Sequence, residues 1–135
     1  FVVAAMRDPE GAPLAAIQIV KSWVDADGTT HERVYDVAGA VTTGSVDPDS
    51  CVIDPGAATD ELCAEWVDPD FVSGQRAFYY ARVVEAPTCR WSRYVCIEAG
   101  VDCATITPDD PLASCCPTSR HVIRERAWTS PIWSR

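Results

Sequence analysis

Apolar residues in this chain fall in short runs bounded by Pro, Gly and Asp, and no run keeps a helical period for more than two turns. Residues 1–6 are apolar and stop at Arg7-Asp8-Pro9, reading as a first strand, and residues 8–13 form a Pro- and Gly-marked turn. Residues 16–24 are β-branched and apolar, and residues 30–37 alternate His31, Arg33, Tyr35 and Val37 with Glu32, Val34 and Asp36. The Asp25-Ala26-Asp27-Gly28 turn between them predicts a hairpin. Residues 38–60 read as a long loop with at most a short strand near 40–46. Residues 61–67 suit a short strand or one helical turn, and Asp68-Pro69-Asp70 is a turn.

The strongest strand is 77–85, apolar on both sides and bearing Phe78, Tyr79 and Tyr80, which predicts a central position. A cysteine-studded, aperiodic excursion over 89–116 follows, then a last strand at 121–128. Short strands separated by turns predict an all-β fold. The expectation is one domain over 1–135: a disulfide-stapled β-sandwich, Ig- or fibronectin-like, with long irregular loops. The 135 residues match the usual single-domain size of ~100–150.

Charge narrows the partners. Twenty acidic against eleven basic groups give −9, which argues against nucleic acid. No apolar run reaches the ~18–20 residues of a membrane-spanning helix. Residues 1–6 lack the basic leader and the length of a signal peptide. A chain that opens in a strand without an initiator Met is expected to be a processed product or part of a longer precursor.

Seven cysteines, at 51, 63, 89, 96, 103, 115 and 116, contain no C-x-x-C pair, and His31 and His121 stand outside ligand-like spacing. Disulfides in an oxidising extracellular or periplasmic compartment are therefore the reading, rather than zinc. Lys21 as the lone lysine beside ten arginines adds only loose support. Seven is odd, so at least one sulfur stays unpaired within the chain, and roughly a hundred pairings are open if three bridges form. Cys51 with Cys63 is the preferred pair; it would close the loop around Asp54-Pro55-Gly56, worth roughly 3 kcal/mol. The adjacent Cys115 and Cys116 are expected to take different partners. The seventh thiol is buried, bonded to a missing part of a precursor, or bonded to another subunit.

Candidate chemistry is sparse. Asp25, Asp27 and Glu32 resemble the opening of a calcium loop, but no third ligand stands at Thr29 and the closing Glu is missing, so a hairpin turn is favoured. The pairs Asp47/Asp49, Asp68/Asp70 and Asp109/Asp110 read as solvated turns. No G-x-S-x-G occurs, His121 reads as structural and His31 as exposed, so no catalytic residue and no cofactor are assigned. Trp23, Trp66, Trp91, Trp128 and Trp133 with Phe78, Tyr79 and Tyr80 would serve either a core with its rim, the favoured reading, or a carbohydrate-stacking platform. Trp128 and Trp133 are the expected exposed pair. With Phe1, Val2 and Val3 they form the candidate contact surface.

Four ordered strings carry a resemblance: Ile17-Gln18-Ile19-Val20-Lys21-Ser22-Trp23-Val24-Asp25, His31-Glu32-Arg33-Val34-Tyr35-Asp36-Val37, Ala77-Phe78-Tyr79-Tyr80-Ala81-Arg82-Val83, and Glu125-Arg126-Ala127-Trp128-Thr129-Ser130-Pro131-Ile132-Trp133. Together the chain resembles the C-terminal portion of the secreted bacterial domain-of-unknown-function 3604 family. The resemblance implies a larger upstream barrel similar to metal-dependent phosphoesterases; none of that barrel's His and carboxylate motifs is present here, so no role is carried over. It implies a non-catalytic accessory module of a secreted hydrolase, partnered by its precursor's upstream domain. The alternatives are a processed subunit assembling with copies of itself into an extracellular filament by edge strands and disulfides, and a carbohydrate-binding module.

Overall fold

A computed structural model describes residues 1–116 and 121–134. Eleven strands are described: β1 (Val2–Met6), β2 (Leu14–Val24), β3 (Thr30–Gly39), β4 (Ser45–Val46), β5 (Ile53–Asp54), β6 (Glu61–Glu65), β7 (Arg76–Glu85), β8 (Thr88–Cys89), β9 (Val122–Ile123), β10 (Arg126–Trp128) and β11 (Ile132–Ser134). One helix, α1 (Trp91–Glu98), and a 3-10 turn at Ala113–Cys115 complete the described elements. The chain is all-β and disulfide-stapled, as its pattern predicts.

The main sheet is antiparallel, in the order β3-β2-β7, with β10 and β11 lying end to end along the far edge of β7. The hairpin β2–β3 turns at Gly28, whose φ of +88° suits a residue without a Cβ. Register shifts occur between Ile17 and Gln18 on the β3 side and between Leu14 and Ala16 on the β7 side. Gly39, at φ +64°, lies so close to the Ala15 carbonyl that a Cβ would stand 2.1 Å from its oxygen.

Strand β2 is the axis of the molecule: every residue from Leu14 to Lys21 is buried. A strand hydrogen-bonded on both sides is shielded by its neighbours' side chains, so its buried run loses the alternation of a half-exposed strand and takes in Gln18 and Lys21 as well as apolar residues. One face of the sheet carries Ile19, Ala77 and Tyr79, with Trp23, Val37 and Trp66 packed against them. The antiparallel ribbon β1–β6 lies across that face as the second layer, with Phe1 and Trp66 exchanging backbone hydrogen bonds at its end. The Phe1 ring sits 4.9 Å from Tyr79 and 5.8 Å from Trp66.

The opposite face carries no further strand layer among the described residues. There Gln18 accepts from Arg82 at 2.8 Å and donates to Asp36 at 2.6 Å, while Val20 lies between Val34 and Tyr80 in register.

Beyond the C-terminal end of β7 sits a small lobe of loop, helix and short ladders. Cys51–Cys89 ties the 47–52 loop to β8, and Cys96–Cys115 and Cys103–Cys116 fasten α1 and the loop after it. The expected Cys51–Cys63 bridge is thus corrected: Cys51 bonds Cys89, and Cys63 is the free cysteine, exposed on β6. Proximity in sequence misled, because β6 pairs with β1 and points Cys63 outward opposite Ala4, away from the loop that Cys51 anchors. Cys115 and Cys116 do take different partners. The run 121–128 divides into β9, paired with β8, and β10, paired with β7. Helix α1 falls inside the excursion that showed no periodicity in sequence.

Candidate functional site

The chain's only lysine is buried in the main sheet. Lys21 is 1% exposed, and its Nζ donates to Asp68 Oδ2 at 2.6 Å and to the Asp70 carbonyl at 2.7 Å. Tyr79 OH donates to the same Asp68 oxygen at 2.7 Å. One residue pair outward, Asp70 accepts from Tyr35 OH at 2.7 Å and pairs with Arg33. Lys21 also lies 5.2 Å from the Trp23 ring centroid and 5.7 Å from that of Tyr79. Burial pushes the Asp68 carboxyl up, but the hydrogen bonds from Lys21 and Tyr79 outweigh it and hold the group below the usual carboxylate range. Burial first, then the bond to Asp68, pushes the Tyr79 phenol well above its ordinary range.

Lys21, Asp68 and Tyr79 are hydrogen-bonded to one another and closed to solvent, while Arg33 and Asp70 stay about half exposed, an arrangement that suits fixing the 68–70 loop to the sheet. The Asp68-Pro69-Asp70 turn, expected to be solvated, is corrected at Asp68: it is the counter-charge of Lys21. The signal was a lysine in the middle of a buried strand, which demands an acidic partner.

The calcium candidates are not assembled. Asp25 Oδ2 meets His31 Nε2 at 2.6 Å, and Asp27 Oδ1 accepts the Thr29 N–H at 2.9 Å, a turn-closing bond that lowers its pKa. Glu32, adjacent to His31 in β3, faces the other side of the sheet. No cluster of three metal-ligating side chains occurs among the described residues. His31 is half-buried and stacks on Trp23, ring centroids 5.1 Å apart, where exposure was expected. Ser22, opposite Glu32, is on the far face from His31, which lies opposite Trp23, so the strand register does not bring these two side chains together. His121 is buried, and neither ring nitrogen has a partner among the described residues.

Two exposed surfaces present tryptophan among the described residues. On the lobe, α1 turns Trp91, 79% exposed, together with Tyr94 and Val95, to solvent while Cys96 is buried beneath. The i, i+3, i+4 spacing sets those three on one helical face. Arg93 holds the helix to the preceding loop by donating to the Pro48 carbonyl at 2.6 Å. On the sheet, Trp128 and Trp133 are 61% and 73% exposed, in register with Arg82 and Phe78 on the face away from the ribbon. Of the other candidate contact residues, Val2 points outward, whereas Val3 and the Phe1 ring turn toward the ribbon's underside. Beside Trp133, near the hairpin turn, the sheet forms an open groove of about 770 Å³. The α1 face was missed in sequence because eight residues within a cysteine-rich loop carry too little pattern.

No helix among the described residues is long and apolar enough to cross a membrane. Three disulfides and the all-β build are consistent with an oxidising compartment. No curated protein and no solved structure matches the chain. The family model described as "Protein of unknown function (DUF3604)" matches residues 1–135, and the chain belongs to that family.

Proposed function

We propose that this domain is a non-catalytic, extracellular accessory module of a secreted DUF3604 protein, docking onto the larger, hydrolase-like part of its precursor. The observation that carries the reading is the α1 face. Trp91, Tyr94 and Val95 are held out to solvent by a helix fastened to the lobe by its own Cys96–Cys115 bridge, by the Cys51–Cys89 bridge just before it and by Arg93. Aromatic side chains presented on a pinned backbone lose little freedom on association and are the usual anchors of protein interfaces. The titratable clusters support a non-catalytic role, since Lys21, Asp68 and Tyr79 are saturated and buried.

The test is calorimetric titration of the 135-residue chain with the remaining part of its precursor, produced separately. A one-to-one complex is expected, weakened at least about tenfold by W91A/Y94A. No association with the wild-type chain contradicts the reading.

The filament alternative draws on the exposed free thiol of Cys63. Both edges of the main sheet speak against it. Edge strand β3 carries Glu32, Arg33 and Asp36, and the other edge is interrupted at Pro131 between β10 and β11. Regular polymers in negative-stain images would restore it.

A further inference from the structure

The groove beside Trp133 has a composition that the docking surface lacks. Its floor is a single rung across four strands: Glu32 on β3 pairs with Ser22 on β2, Ser22 with Phe78 on β7, and Phe78 with Trp133 on β11. Directly opposed residues of antiparallel strands share a face, so a carboxylate, a hydroxyl, a phenyl and an indole stand in line. The next rung toward the turn adds Thr30, Val24 and Arg76. All seven line the groove, as do His31, Trp23, Ala77 and Ser134 of the intervening rung.

Neighbouring strands stand ~4.8 Å apart, so the rung spans roughly 14 Å, the reach of a di- or trisaccharide. The groove's volume is that of a small-ligand site. Its aromatic end is a platform: the Phe78 and Trp133 centroids are 5.1 Å apart at 48°, and Tyr80 stacks against Phe78 at 17°. Its polar end offers one carboxylate acceptor, one guanidinium donor and two hydroxyls. Glu32 and Arg76 cancel in formal charge, and His31, the other titratable lining residue, is paired with Asp25, so the floor selects neither an anion nor a cation.

We propose that this groove is a binding site for a neutral oligosaccharide. The apolar C–H face of a sugar ring lies on the Trp133 indole and Phe78 ring, where stacking needs no charge. The ring hydroxyls donate to Glu32 and accept from Arg76, with Ser22 and Thr30 able to do either. A purely apolar partner would leave these polar groups unmatched, and a strongly charged one would meet repulsion at Glu32 or at Arg76. The site lies at the opposite end of β7 from α1, so it stands independently of the docking reading.

The experiment is titration of the full 135-residue chain with neutral gluco-, xylo-, manno- and N-acetylglucosamine hexaoses, with an oligogalacturonate as anionic control. Binding is read by tryptophan fluorescence and by calorimetry. Saturable binding of at least one neutral hexaose is expected, with the anionic control weaker. W133A should lower that affinity about tenfold, the loss of one stacking platform. E32Q, a nearly isosteric change at an exposed position, should lower it as well, and W91A should leave it unchanged. If no neutral hexaose binds, if the anionic oligomer binds better, or if W133A and E32Q bind as well as the wild type, the proposal is overturned. Protection of the groove by the rest of the precursor, without sugar binding, would likewise overturn it and assign the groove to a protein contact. A chain that loses association through W91A/Y94A yet keeps sugar binding separates the two readings.

Discussion

Asp68→Ala is expected to destabilise the domain by about 3–5 kcal/mol, the largest effect of any exchange away from the cysteines. The substitution strands the Lys21 ammonium inside the sheet with the Asp70 carbonyl as its one remaining hydrogen-bond acceptor, and removes the acceptor of Tyr79 OH. Both members of the ion pair are almost fully buried, with side-chain exposures of 2% and 4%, so water does not make good the loss. Removing both charges together, in K21M/D68A, should restore much of the stability, because the penalty belongs to the uncompensated charge rather than to the absence of the pair. Urea unfolding of the two single variants and the double variant checks this. A loss under about 1 kcal/mol in D68A would place the pair in a wet, surface-like setting.

Acid should act in the same way as the mutation. The folded-state pKa values of Asp68 and Asp70 lie below the usual 3.8. Their stabilisation is therefore complete at neutral pH and is lost as the pH falls below that value and through the folded-state pKa values.

Reduction is expected to divide the molecule. Within the lobe's helix and 3-10 turn, the buried residues are Cys96 and Cys115 themselves. These elements bury no apolar side chain of their own apart from their bridges. The sheet buries Ile17, Ile19, Val20 and Tyr79. The Cys51–Cys89 bridge spans 38 residues, for which the chain-entropy model gives roughly 4 kcal/mol. Under strong reductant, the amides of α1 should exchange at rates near those of unfolded chain while β2 and β7 stay protected. Hydrogen exchange read by mass spectrometry reports both in one experiment. Simultaneous loss of protection in the sheet would show that the bridges hold the whole fold rather than the lobe.

The parts legible in sequence were those whose periodicity is local. The hairpin of β2 and β3 followed from two β-branched runs around a Gly at positive φ, and β7 from its aromatic run. The exposure of Trp128 and Trp133 was also foreseen. What was hidden depends on contacts distant in sequence. Lys21 and Asp68 lie 47 residues apart, and nothing near either names the other. Cys51 had six possible partners, and spatial neighbourhood chose one 38 residues away over one 12 away, because β6 belongs to the ribbon and not to the lobe. The groove is a property of register. Glu32, Ser22, Phe78 and Trp133 come into line only once four strands are paired.

The claim underlying all of this is that oxidised bridges fix the lobe and so hold the α1 face ready for contact. Peptide mapping of the unreduced protein by mass spectrometry, with free thiols alkylated first, tests it most directly. The expected result is a single alkylated cysteine, Cys63, with Cys51 linked to Cys89, Cys96 to Cys115 and Cys103 to Cys116. Alkylation of most cysteines, or a Cys51–Cys63 peptide, would contradict it.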